Sequence, residues 1–205
     1  MSLTVALSKG KLLTGTRDLF RRAGLPFPDG ETRRLVVPLG ELRFLFVKDG
    51  DVPTYVEYGV ADCGIAGRDV LLEADSDVFE PLDLGFGGCR LVVARPTSDT
   101  PFIGGTSTLR VATKYPKIAA GHFLGRGVPV EVVKLAGSVE IAPGLGLADC
   151  IVDVVETGRT LKENGLVEVE DVAQSSARLV VNRASYHAQR AEVRRLVERL
   201  ERTLQ

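Results

Sequence analysis

ADCIVDVVETGRTL, running from Ala148 to Leu161, is the stretch on which the reading of this chain turns. Cys150 to Val155 is a short, largely apolar and β-branched run, the composition of a buried strand in a parallel sheet. An acid interrupts it at Asp153, a second follows at Glu156, and Thr157-Gly158-Arg159-Thr160 leads into a helical LKENG segment. A strand that ends in Thr-Gly-x-Thr and turns into a helix can cradle a phosphate. The glycine lets backbone approach the anion, the hydroxyls flank it, and the first N–H groups of the helix point at it. The two acids suit sugar hydroxyls, or a phosphate-bound metal reached through water. An ordinary strand–turn–helix with Thr157 as its N-cap reads equally well from this stretch alone.

The chain of 205 residues can form one domain or two small ones. A hydrophobic fraction of 44% and a charged fraction of 26% are those of a soluble globular protein. The net charge of −1 argues against binding nucleic acid through bulk electrostatics. No apolar run approaches membrane-spanning length, and the opening MSLTVALSKGKLL reads as a first strand, not a signal peptide. Cys63, Cys89 and Cys150 are odd in number and far apart, as expected of reduced thiols in a cytoplasmic protein. His122 and His187 are the only histidines, too few for a histidine-based metal or triad site.

On either side of the central stretch the pattern predicts alternating elements. A strand at Leu3–Leu7 precedes a helix at Leu12–Ala23 that stops at Gly24, and a hairpin joins 35–37 to 42–47. A short helix opens at Asp51 and Pro53, a strand spans 61–67, a helix 68–73, and further strands lie at 78–82 and 90–95. From Leu109 onward the spacing is β-α-β-α-β-α, the pattern of a parallel sheet, with Gly137–Leu145 as a helix interrupted by Pro143. Strands at 167–172 and 177–181 lead to an amphipathic helix carrying Val193, Leu196, Val197, Leu200 and Leu204. Two α/β units result, one of residues 1–88 plus 176–205 and one of residues 89–175, with a ligand cleft expected between them.

Other segments offer chemistry beside plainer roles. Ser8-Lys9-Gly10-Lys11, at the first βα turn, is an anion contact or a solvated charged turn. Gly64 and Gly67 bring backbone near a ligand that Arg68 or Asp69 contacts, or they form a tight turn with a surface ion pair. Glu140, in Gly137-Ser138-Val139-Glu140, is a second acceptor for sugar hydroxyls or a simple capping acid. Arg110 and Lys114 flank a strand end near the same cleft, and His122 reads as structural.

Taken jointly, these segments resemble the ATP phosphoribosyltransferase family. The resemblance rests on GSVEIAPGLGLADCIVDVVETGRTL (Gly137–Leu161), on LSKGKL (Leu7–Leu12), on DVPTYVEYGVADCGIAGRDVL (Asp51–Leu71) and on RVATKYP (Arg110–Pro116), in the family's order. It implies a two-lobed fold of the type II periplasmic-binding-protein kind. The implied reaction transfers a phosphoribosyl group from phosphoribosyl pyrophosphate to N1 of ATP, with magnesium on the departing pyrophosphate. By the same resemblance Asp153, Glu156, Thr157, Gly158, Arg159 and Thr160 hold the sugar phosphate, with Asp153 and Glu140 at the reacting centre. Lys9, Gly10, Lys11 and Asp69 lie toward ATP. Two departures stand out: the family often has proline at the position of Ser8 and arginine at that of Lys11, and lysine keeps the charge but loses the bidentate fork. The chain resembles the family's short form, which implies a homodimer core, a separate regulatory subunit similar to histidyl-tRNA synthetase, and no nucleic-acid or membrane partner. A transferase acting on another base and a solute-binding protein are the alternatives that the loop alone leaves open.

Overall fold

A computed structural model of the chain describes residues 2–28, 33–97 and 108–205. In chain order, β1 (Leu3–Ser8), α1 (Leu12–Arg22), β2 (Val36–Leu39) and β3 (Leu42–Val47) are followed by α2 (Val52–Glu57), β4 (Cys63–Gly67), α3 (Arg68–Ala74) and β5 (Phe79–Asp83). Then come β6 (Cys89–Pro96), β7 (Leu109–Thr113), α4 (Pro116–Leu124), β8 (Val130–Lys134) and β9 (Cys150–Val155). The chain continues through α5 (Arg159–Glu163), β10 (Leu166–Ser175), β11 (Ala177–Val181), α6 (Arg183–Ala188) and α7 (Arg190–Leu204). These elements group into two compact units: residues up to Gly88 with Ser176–Gln205, and Cys89–Ser175.

The first unit carries a six-stranded sheet ordered β2-β3-β1-β4-β11-β5. β1 pairs in parallel with both β3 and β4, and all six of its residues are buried, because helices cover both faces of a central parallel strand. The alternation of Leu3, Val5 and Leu7 therefore marks the more apolar face and not an exposed one. Phe20 meets Phe27 and Phe44 edge-on, Phe27 and Phe44 are tilted to each other, all with centroids 5.2–6.0 Å apart, and α7 adds Val193, Leu196 and Leu200 to the same core. β11 returns antiparallel between β4 and β5.

A buried acid ties the late helices to this sheet. Asp62 Oδ2 accepts the Thr4 N–H at 2.7 Å, while Oδ1 accepts the Ser185 hydroxyl at 2.7 Å and the Gln189 amide at 2.6 Å. Asn182 caps α6 by accepting the Ser185 N–H at 2.9 Å.

The second unit carries a five-stranded sheet ordered β10-β6-β9-β7-β8. β8, β7 and β9 run parallel, as the β-α-β spacing predicts, but β6 joins β9 antiparallel and β10 joins β6 antiparallel. The sheet is therefore mixed, and β9 lies between a parallel and an antiparallel neighbour.

The helix expected over Gly137–Leu145 does not form. A single 3-10 turn spans Val139–Ile141, preceded by Ser138 in the left-handed region at φ 50°. Pro143 explains this. It has no N–H to offer the Val139 carbonyl four residues back, so that carbonyl accepts from Ala142 instead, and Gly144 and Gly146 favour turns over a continued helix. No helix among the described residues is long and apolar enough to cross a membrane.

Candidate active site

Parallel strands expose their following loops along one edge of the sheet, and in the second unit that edge gathers the acidic and hydroxyl residues. Thr113 ends β7, in register with Lys134 of β8 and Val152 of β9. The segments after these three positions therefore leave the same edge: Lys114-Tyr115 after β7, the Ser138–Glu140 turn after β8, and Asp153–Thr160 at the end of β9. The edge is braced by Thr113, whose buried hydroxyl donates to the Val152 carbonyl at 2.6 Å and accepts the Tyr115 N–H at 2.8 Å.

Within the loop the residues divide by exposure. Asp153 is half-buried, and one carboxylate oxygen accepts the N–H of Val154 at 2.8 Å. Glu140 is half-buried, whereas Glu156, Thr157, Arg159 and Thr160 are exposed. The N-cap of α5 is Gly158, at φ 73°, and no side chain caps the helix. That removes the plain reading of Thr157 as an N-cap and leaves its hydroxyl outside the helix's own bonding. Arg159 is paired along its own helix with Glu163 at 2.7 Å, both largely exposed, a contact worth only a few tenths of a kcal/mol.

Gly158 has a neighbour from another strand of the sheet. Its Cα does not face open space: a Cβ there would stand 2.7 Å from Glu168 Oε1 on β10. Its left-handed backbone at φ 73° favours glycine, and the carboxylate of Glu168 occupies the space a side chain would take. Glu168 in turn is bound by Arg90 of β6 at 2.8 Å, and Arg90 reaches Asp171 at 2.5 Å. Neither Arg90 nor Glu168 stands out in the sequence, since 78 residues separate them.

The first unit has a corresponding edge. β1 is in register with β3 up to Ser8↔Val47 and is parallel to β4. Lys9, Gly10 and Lys11 therefore leave the sheet on the same side as Asp69, which follows β4 in the first turn of α3. Lys9 and Lys11 are exposed, with the Lys9 ammonium 5.4 Å from the centre of the Phe46 ring, while Asp69 is buried. The two glycines singled out nearby behave differently. Gly10 would accept a Cβ without conflict, its nearest neighbour being Ser8 Oγ at 3.7 Å. At Gly64 a Cβ would meet Val52 and Val56 methyls at 2.9 Å and the Ala6 carbonyl at 3.1 Å, so this glycine serves the close packing of α2 on the sheet and not a ligand.

Two further candidates lie elsewhere. Arg110 is the second residue of β7, at the opposite end of the strand from the loops, where it bonds Asp149 and the Gly146 carbonyl at 2.9 Å each. These bonds make it a structural clamp between β7 and the chain entering β9. His122, near the end of α4, has its side chain almost wholly covered and meets Glu170 at 3.2 Å, with Arg126 on the same carboxylate. Lys114, by contrast, stands at the loop edge, its ammonium 5.5 Å from the centre of the Tyr115 ring.

Among the described residues no three His, Cys, Asp or Glu side chains converge as a metal cage. Asp153 and Glu156 are the carboxylates at the loop that suit an ion already held by a ligand's phosphates.

Comparison with known proteins agrees in sequence and in structure. The family model described as HisG: ATP phosphoribosyltransferase matches residues 48–202. An ATP phosphoribosyltransferase from Syntrophotalea carbinolica is 49% identical over 208 residues, covering 98% of this chain and 95% of the relative. One from Sorangium cellulosum is 51% identical over 204 residues, covering 97% and 94%. Among solved structures, the ATP phosphoribosyl transferase (HisG:HisZ) complex from Thermotoga maritima superposes with a TM-score of 0.88 at 33% identity, covering 98% of each chain. The shared architecture is the type II periplasmic-binding-protein-like fold.

Proposed function

The chain belongs to the ATP phosphoribosyltransferase family, and on that premise we propose that the loop edge of the second unit's sheet binds the phosphoribosyl donor while that of the first unit receives ATP. The activity is transfer of the phosphoribosyl group from phosphoribosyl pyrophosphate to N1 of ATP, giving phosphoribosyl-ATP and pyrophosphate, the first step of histidine biosynthesis. Shared activity among full-length relatives sets aside the solute-binding protein and the transferase with another acceptor base.

The observation that carries the site assignment is the convergence on one edge of Glu140, Asp153 and the Thr157–Thr160 loop, with Gly158 in the left-handed conformation. The 5-phosphate rests against the N–H groups opening α5, with the Thr157 and Thr160 hydroxyls beside it. Asp153 accepts the ribose hydroxyls, and Glu140 faces the same sugar. Adenine N1 already carries a lone pair, so no base is needed to unmask it. What the protein supplies is alignment of N1 with the anomeric carbon and negative charge beside the oxocarbenium-like centre. Asp153 and Glu156 would hold, through water, a magnesium ion brought by the pyrophosphate, and that ion would supply charge neutralisation for the leaving group. In the first unit Lys9 and Lys11 meet the ATP phosphates, Gly10 lets backbone approach, and Asp69 takes a hydroxyl or amino group of the nucleoside.

The reading extends to assembly. The Thermotoga maritima structure is a complex with HisZ, and we assign this chain a partner of the same kind, a histidyl-tRNA synthetase-like regulatory subunit, around a homodimer core in the cytoplasm.

Calorimetric titration with phosphoribosyl pyrophosphate and magnesium tests the site, run beside a D153N/T160A variant. Saturable binding that the double change abolishes supports the assignment. Equal binding by both proteins overturns it.

A further inference from the structure

From the contact between Gly158 and the edge strand we infer that Glu168, held by Arg90, is a positioning residue for the sugar-phosphate loop. It keeps the loop in its anion-accepting shape before substrate arrives. The inference rests on the loop being the donor site.

Four links close a ring. Gly158 is buried, and the space its missing side chain would need is filled by Glu168 Oε1, 2.7 Å from the ideal Cβ position. The same carboxylate is gripped through its other oxygen by Arg90 Nη2 at 2.8 Å, and Arg90 Nη1 is bound to Asp171 Oδ1 at 2.5 Å. Arg90 lies directly opposite Val155 in the β6–β9 ladder, three residues before Gly158, so the ring returns to the loop it started from.

The strand is deformed to make this possible. Glu168 and Asp171 are three residues apart and would point to opposite faces of a regular strand. Both nevertheless reach one guanidinium. The β10–β6 register shifts between Glu168 and Glu170, and this irregularity, lying between the two acids, reverses the alternation so that both serve Arg90.

A carboxylate under a phosphate loop is electrostatically adverse, which separates two roles by the sign of their effect. If Glu168 were only a nearby negative charge, removing the charge would tighten phosphate binding. If it positions the loop, removing the charge frees both Arg90 and the loop, and binding weakens. The side chains of Arg90 and Glu168 are 39% and 33% exposed, so the pair contributes little to global stability and its effect appears in the loop.

The test compares E168Q, R90K, their double variant and T160A for phosphoribosyl pyrophosphate affinity with magnesium, ATP KM, melting temperature, and amide exchange at 158–161 in the ligand-free protein. For E168Q, donor affinity should fall roughly tenfold, as loss of preorganisation predicts, with faster exchange in the loop and an unchanged melting temperature and ATP KM. Arg90→Lys should do the same, and the double variant should add little to either single change. Tighter or unchanged donor binding in E168Q overturns the inference. If T160A weakens binding while E168Q does not, the positioning role alone fails. If T160A also leaves binding intact, the loop assignment fails.

Discussion

Arg110 and Asp149 hold each other through backbone and side chain together. Asp149 Oδ2 accepts the Arg110 N–H at 2.8 Å, Oδ1 accepts Nη2 at 2.9 Å, and the Asp149 N–H returns to the Arg110 carbonyl at 2.8 Å. The pair fixes the chain entering β9 at the end of the sheet away from the loops, and a second guanidinium nitrogen secures Gly146. Asp149→Ala should lower stability by about 1–2 kcal/mol, because a backbone N–H loses its acceptor, while donor affinity changes little. Denaturant unfolding beside calorimetry checks both halves; a large affinity loss with intact stability would place Arg110 in the site after all.

Acid should weaken both units through identified carboxylates. Hydrogen bonding from Arg110 holds the Asp149 carboxyl below the ordinary aspartate range. Asp83 is held low first by the Gly85 N–H, then by the Ser176 hydroxyl and the Arg178 guanidinium. A carboxylate depressed by folding stabilises the native state above its unfolded pKa, and that stability is lost as pH falls through the folded one. Melting temperature should therefore decline as pH drops below about 4, and less steeply in a D83N/D149N variant, already weaker at neutral pH.

Gly64 and Gly10 should part company under the same substitution. Gly64→Ala forces a methyl against Val52, Val56 and the Ala6 carbonyl and should cost about 1–3 kcal/mol. Gly10→Ala should leave the melting temperature within about a degree or raise it slightly, since its backbone needs no glycine. If ATP approaches that backbone closely, ATP KM rises in the Gly10 variant alone.

One thiol should react in the native protein. Burial pushes the Cys150 thiol up to about 12 and raises Cys63 still further, with Asp149 and Asp62 adding to the effect at each. Only Cys89 is partly exposed. Thiol titration should count one group before denaturation and three after, and mass spectrometry should place the first label on Cys89.

Asp153→Asn should reduce turnover by roughly two orders of magnitude, the scale of losing one electrostatic group at a reacting centre, without moving the pH profile. A displaced pH profile would mean that Asp153 transfers a proton, contrary to a purely electrostatic role.

Much of the fold was legible because the strands announce themselves. Leu109–Thr113 and Cys150–Val155 have the bounds their β-branched runs predict, and the amphipathic pattern from Val193 to Leu204 is a helix on the core. The helical pattern over Gly137–Leu145 misleads because the missing N–H of Pro143 and two later glycines stop a helix from forming at all. For the candidate site, the sequence pattern located the loop and its acids, and the topology explains why Glu140 and Asp153 share an edge. What surrounds them was illegible. Glu168 touches Gly158 from a different strand, and Asp62 finds Ser185 at a separation of 123 residues, contacts that no local spacing encodes.

The placing of β11 bears on the order in which the molecule matures during synthesis. Among the described residues β5 pairs with no strand but β11, and β11 also closes the flank of β4. A nascent chain that has emerged as far as Gly88 therefore carries a sheet with its fifth position vacant and β5 stranded beyond the gap. Residues 89–175 come next as an uninterrupted segment whose sheet is whole without help from either side. The second unit can thus reach its native state on the ribosome while the first still waits for residues 176–205 to supply β11 and the late helices.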